Sequence, residues 1–98
     1  MNNNDQQNAK PVDEVRFSNV RVAIWENVGE KSGKVFFTAS PEVSYTDDAG
    51  NWHQKKSYSI GELLKLEKAA SIATIRIQKL NQEAAKAARL DDQFADVA

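Results

Sequence analysis

Ninety-eight residues with a net charge of −1, no cysteine and one histidine allow at most one domain. They exclude a disulfide framework and make a structural zinc site improbable. Lys/Arg and Asp/Glu number six and seven over residues 12–59, and four and three over residues 60–83. Bulk charge therefore gives no support to tight duplex DNA binding, and any nucleic-acid role needs a local basic or aromatic patch.

The N-terminus is Asn/Gln-rich as far as Pro11 and lacks apolar periodicity, which predicts a disordered arm over residues 1–11. It carries neither the basic nor the apolar region of a signal peptide. No run approaches the roughly 20 apolar residues needed to cross a bilayer. A cytoplasmic chain without membrane contact is the expectation. The folding unit is placed at residues 12–83, with a helix extension and a frayed acidic tail over residues 84–98. A unit so small buries only about 60% of its unfolded surface, so a homodimer or a larger partner is expected to supply more.

Residues from Val15 to about Val28 read as one strand. Val15 and Phe17 share a parity, and Val20, Val22 and Ile24 take the other. A bulge or corner near Ser18-Asn19 is then needed to keep both groups inward. Beyond it Arg21, Ala23 and Trp25 point away from the valine face. Residues 29–33 form a hairpin loop. The second strand, Lys34 to Thr46, sets Val35, Phe37, Ala39, Val43 and Tyr45 against Phe36, Thr38, Ser40, Glu42 and Ser44. Pro41, lacking an amide donor, belongs at an edge or a break. After a turn at residues 47–51 a third strand, Trp52 to Tyr58, shows no cleanly apolar face, as an edge strand should.

Ser59 and Glu62 make a capping box, the hydroxyl taking an orphan helix amide while the carboxylate reaches back to the serine amide. Leu63, Leu66, Ala70, Ala73, Ile77 and Leu80 then recur at helical spacing. Ile60, Leu64, Ile72 and Ile75 widen the apolar surface beyond what one sheet face needs. Ala84, Ala85, Ala87 and Ala88 extend the pattern to about Leu90, on the order of 30 residues and 45 Å. The fold class is thus α+β: an antiparallel sheet of three or four strands followed by one long C-terminal helix.

The segments Val15-Arg-Phe-Ser-Asn-Val-Arg-Val-Ala-Ile-Trp-Glu-Asn, Ser44-Tyr-Thr-Asp-Asp and Ser59-Ile-Gly-Glu-Leu-Leu resemble a family of short uncharacterised proteins of bacterial genomes and mobile elements. The likeness spans about residues 14–77 and carries no assigned activity. The strand-strand-strand-helix order is also similar to the Whirly and transcriptional-coactivator type of single-stranded DNA-binding fold, by element order alone. That resemblance implies a curved sheet and a helix pairing across a dimer.

His53 lacks a neighbouring nucleophile in sequence and reads as incidental. Asp47, Asp48 and Gly50 lack the further oxygen ligands of a calcium loop. Neither a phosphate loop nor a nucleophile elbow is present, so no catalytic residue, metal or cofactor is assigned and an enzyme is not expected. Lys65, Lys68, Arg76 and Lys79 read as a solvated helix face.

Trp25 and Phe36 share, by parity, the sheet face away from the helix. Exposed aromatics beside cations are what a stacking surface for single strands requires. The expectation is a non-catalytic binding module that takes single-stranded DNA or RNA, with Trp25 and Phe36 stacking bases and Arg21, Lys34 and Lys55 meeting phosphates. The alternative is a protein-interaction or assembly domain using the same face and the helix flank as a subunit interface.

Overall fold

A computed structural model describes residues 10–97, with side chains described for residues 10–90. Residues 1–9 of the expected disordered arm lie outside the described residues, as do the side chains of the acidic tail. Four strands, β1 (Asp13–Phe17), β2 (Val20–Val28), β3 (Val35–Thr46) and β4 (Trp52–Gln54), precede one helix, α1 (Ile60–Val97). The strands form an antiparallel sheet in the order β1-β2-β3-β4, so the chain is α+β.

The stretch from Val15 to Val28 is two strands, not one bulged strand. Phe17 pairs with Val20 across a tight turn at Ser18-Asn19, and Ser18 there takes φ +59°. The hairpin resolves the parity change without a bulge, because Val15 lies directly opposite Val22 and directly opposed residues share a face. Val15, Val20, Val22, Ile24 and Val43 are buried on that face, with Phe37 packed partly against them.

Helix α1 covers these residues with Ala69 and Ala73, both fully buried, and with Leu66, Ile72, Ile77 and Leu80. This is a rotation of the expected stripe. Leu63 and Ala70 are exposed, and Ala69 and Ile72 take the inward places. Two alanines at the point of contact let the helix backbone approach the β-branched sheet surface closely, which a leucine at the same place would prevent.

The helix N-terminus forms as its sequence dictates. Glu62's amide donates to Ser59 Oγ (3.2 Å) and Ser59's amide donates to Glu62 Oε1 (2.9 Å), the reciprocal capping box. Glu62 also accepts from Lys55 Nζ (2.8 Å) and from Asn19 Nδ2 (3.1 Å). One carboxylate thereby ties the cap to the β1–β2 turn and to the segment after β4. The donors around it, Lys55 foremost and then the Ser59 amide, hold its carboxyl down at about 2 against an ordinary 4.5.

Strand β4 is only three residues long and ends before the expected Tyr58. Lys55 still bonds β3 through its amide while its side chain reaches Glu62, and the chain beyond it serves helix entry. At the far end α1 continues to Val97, past the Leu90 expected from the alanine pattern. Thirty-eight residues make a rod of about 57 Å. It accounts for extents of 63 × 30 × 19 Å and a radius of gyration of 17.4 Å, against about 13 Å for a compact chain of 100 residues. From Asn81 to Leu90 every helix side chain but half-buried Ala84 is exposed, so this part projects beyond the sheet.

Candidate interaction surface

The valine face of the sheet is taken by the helix, so any site on the strands must use the opposite face or a free edge. Strand alternation puts Arg21, Ala23, Trp25 and Asn27 of β2 on the opposite face. Thr38 pairs with Trp25 and Phe36 with Asn27, so Trp25 and Phe36 are diagonal neighbours there. Phe36 is 48% exposed and Trp25 is half-buried. Asn27, buried beside them, donates to Thr38 Oγ1 (3.1 Å), which satisfies its amide without water.

The cations assigned to this face are disposed unevenly. Arg21 is on it, but its Nε bonds Glu14 at 2.6 Å and its Nη1 bonds Glu42 at 3.2 Å. Arg16 spends its Nε on the other oxygen of Glu14 (2.8 Å). Glu14 is held below the usual carboxylate range chiefly by Arg21 and then Arg16, and Arg21's affinity for its proton is raised, mostly by Glu14. Lys55 is engaged with Glu62 at the helix cap. Lys34, exposed at the end of the β2–β3 loop, is the member of the assigned set whose charge is not paired among the described residues. The structure thus brings Arg21, Trp25 and Phe36 to one face but commits Arg21 and Lys55 to partners of their own.

A second region of the same face was not foreseen. A cleft of about 490 Å³ opens between the β1–β2 turn and β4, lined by Arg16, Arg21, Glu42, Ser44, Trp52 and Gln54 among others. Trp52 at its side is 72% exposed, and Gln54 Nε2 donates to Glu42 Oε2 (2.8 Å) across it. Extending parity through the turn is the signal that finds Trp52. It pairs with Thr46, whose even number places it with Phe36 and Thr38. Trp25 and Phe36 do not line the cleft.

His53 Nε2 meets Asp47 Oδ2 at 2.8 Å, and its ring stacks on Tyr45 with centroids 5.2 Å apart. Asp47 also accepts from the amides of Ala49 (3.0 Å) and Asn51 (2.9 Å). Its carboxyl is lowered, first by His53 and then by these turn amides. The pair is therefore built into the β3–β4 turn. Among the described residues no cluster of metal-ligating side chains occurs, and no described helix is long and apolar enough to cross a membrane.

The main chain of β3 supplies the remaining feature. Ser44's amide donates to Asn19's carbonyl (3.1 Å) and Gly29's amide donates to Lys34's carbonyl (2.9 Å), so even-numbered residues of β3 turn their peptide groups toward β2. Lys55's amide donates to Val43's carbonyl (2.7 Å), so odd-numbered residues turn theirs outward. Strand β4 covers only Ser44, Tyr45 and Thr46. Among the described residues no strand lies against the outer edge of residues 35–41, and Val35, Phe37 and Ala39 hold their amides and carbonyls there unpaired within the sheet. Pro41 sits on the outward parity, where its missing amide costs no bond to β2.

Comparison of the chain with protein-family models, with curated proteins and with solved structures finds no match.

Proposed function

We propose that this chain is a non-catalytic interaction module whose sheet meets another polypeptide, an assembly domain. The observation that carries the reading is the first half of β3. Residues 35–40, Val-Phe-Phe-Thr-Ala-Ser, are uncharged, exposed apart from Phe37, and open along one main-chain edge. A long, flat, apolar edge is a template for strand addition. The β3 edge carries neither charge nor bulge within this span; Pro41, at its end, removes one donor. The paired arginines point the same way, because the charge of Arg21 is already offset by Glu14 and Glu42. A chain free of cysteine is compatible with working in a reducing cytoplasm.

A second reading, single-stranded DNA or RNA on the outer face, has one observation in its favour. Trp52 stands 72% exposed beside a cleft that Arg16 and Arg21 line, and a free indole near cations is a stacking surface. Titration of tryptophan fluorescence with oligo(dT) at low and moderate salt separates the two. The interaction reading expects no response at tens of micromolar protein. A quench that weakens with salt would overturn it in favour of nucleic acid. Phe36→Glu supplies the positive arm: loss of self- or partner association with unchanged helical circular dichroism supports an apolar interface at β3, and association indifferent to this charge counts against it.

A further inference from the structure

The open half of β3 has a length, a charge pattern and a side-chain pattern that suit one particular occupant. We infer that residues 35–41 pair antiparallel with the same residues of a second copy, about a two-fold axis at Thr38, joining two sheets into one. The inference rests on the interaction reading above and specifies its partner and register.

Outward-facing peptide groups must meet outward-facing ones, so odd residues of one β3 oppose odd residues of the other. With Thr38 opposite its own mate, Phe37 lies opposite Ala39 of the second copy and Val35 opposite Pro41. The unpaired amides of Val35, Phe37 and Ala39 all gain carbonyl acceptors. Pro41, with no amide to give, falls at the last pair, where the loss is smallest. On the helix side the large ring of Phe37 meets the small, exposed Ala39. On the outer side Lys34, which has no ion-pair partner among the described residues, comes opposite Glu42 and joins the Arg21 and Gln54 that already bond its carboxylate. The same register extended in the other direction repeats that pair, so one opposite-charge contact closes each end. A shift by two residues places Lys34 opposite Ser40 and Glu42 opposite Ser32, and both charge contacts are lost.

Residues directly opposed at a position that does not exchange main-chain bonds have Cα atoms about 4.5 Å apart, within the roughly 4.4–6.8 Å that a disulfide spans. Thr38 is such a position, and the chain contains no cysteine. Thr38→Cys is therefore expected to form a covalent dimer under mild oxidation at tens of micromolar protein, many-fold faster than Asp48→Cys at the exposed β3–β4 turn. Because Thr38 accepts a hydrogen bond from Asn27, a second variant guards against misfolding. Ala39→Pro removes an outward amide that makes no bond to β2, at an edge position where proline is tolerated, and sedimentation velocity should show it monomeric where the unmodified chain is dimeric, with unchanged circular dichroism. Cross-linking of the Thr38→Cys variant no faster than that of the Asp48→Cys variant overturns the register. A dimer that Ala39→Pro leaves intact overturns the edge, while the interaction reading still stands on Phe36→Glu. A chain monomeric at every concentration overturns the self-pairing outright. Failure of the interaction reading itself shows separately, in the oligo(dT) titration.

Discussion

Glu62 is the side chain on which the most contacts converge. It accepts from Lys55, from Asn19 and from the Ser59 amide, and through them the helix start, the β1–β2 turn and the exit of β4 share one anion. Its carboxyl is at about 2 in the fold against an ordinary 4.5, a depressed value. Its contribution to stability is therefore complete above the ordinary carboxylate range and is lost as pH falls through that range toward 2. Glu14 and Asp47, also lowered, act in the same direction. Urea midpoints measured from pH 6 to pH 2 should fall across the lower part of that window. For Glu62→Gln they should start lower and change less; parallel curves would remove Glu62 from the account. Ser59→Ala, which deletes the other half of the box, should cost about 1 kcal/mol at neutral pH.

At the scale of elements, the helix–sheet contact is governed by small residues. Ala69 and Ala73 are buried against Val22, Ile24 and their neighbours, whereas Ala70 is exposed. Ala69→Leu should destabilise by about 1–3 kcal/mol through overpacking. Ala70→Leu should lie within about 0.5 kcal/mol of the unmodified chain. Equal effects in thermal denaturation would mean the helix is rotated from the described orientation.

The same pair of residues shows what the amino-acid order can and cannot reveal. The capping box, the helical period, the parity of β3 and the edge character of Pro41 are all legible, because each depends on residues near one another in sequence. The rotation of the helix is not, because alanine supplies little hydrophobic signal and the leucines at 63 and 64 outweigh it. The hairpin at Ser18-Asn19 reads as a bulge because the turn has no glycine, and a non-glycine residue at positive φ gives no compositional sign. Lys55 looks like a phosphate contact for the same reason that Arg21 does. Charge is visible in a sequence, but the partner that consumes it belongs to another element.

At the scale of the molecule, the structure is a small sheet with one face roofed, one face half-aromatic, and a rod reaching well past both. The helix has an apolar outer flank as well, Ile60 at 78% and Leu64 at 60% exposure. That surplus fits a chain whose buried area is completed by association. The proposed homodimer is placed at residues 35–41 of β3, where among the described residues the outward backbone groups have no partner in the sheet and the side chains carry no charge.

Amide hydrogen exchange resolved along β3, in dilute and in concentrated protein, tests this directly because the strand contains its own control. The amides of Phe36, Thr38 and Ser40 face β2 and should be slow in both samples. Those of Phe37 and Ala39 should be fast when dilute and become slow on concentration. Fast exchange at Phe37 and Ala39 in both samples would show that no second strand docks there.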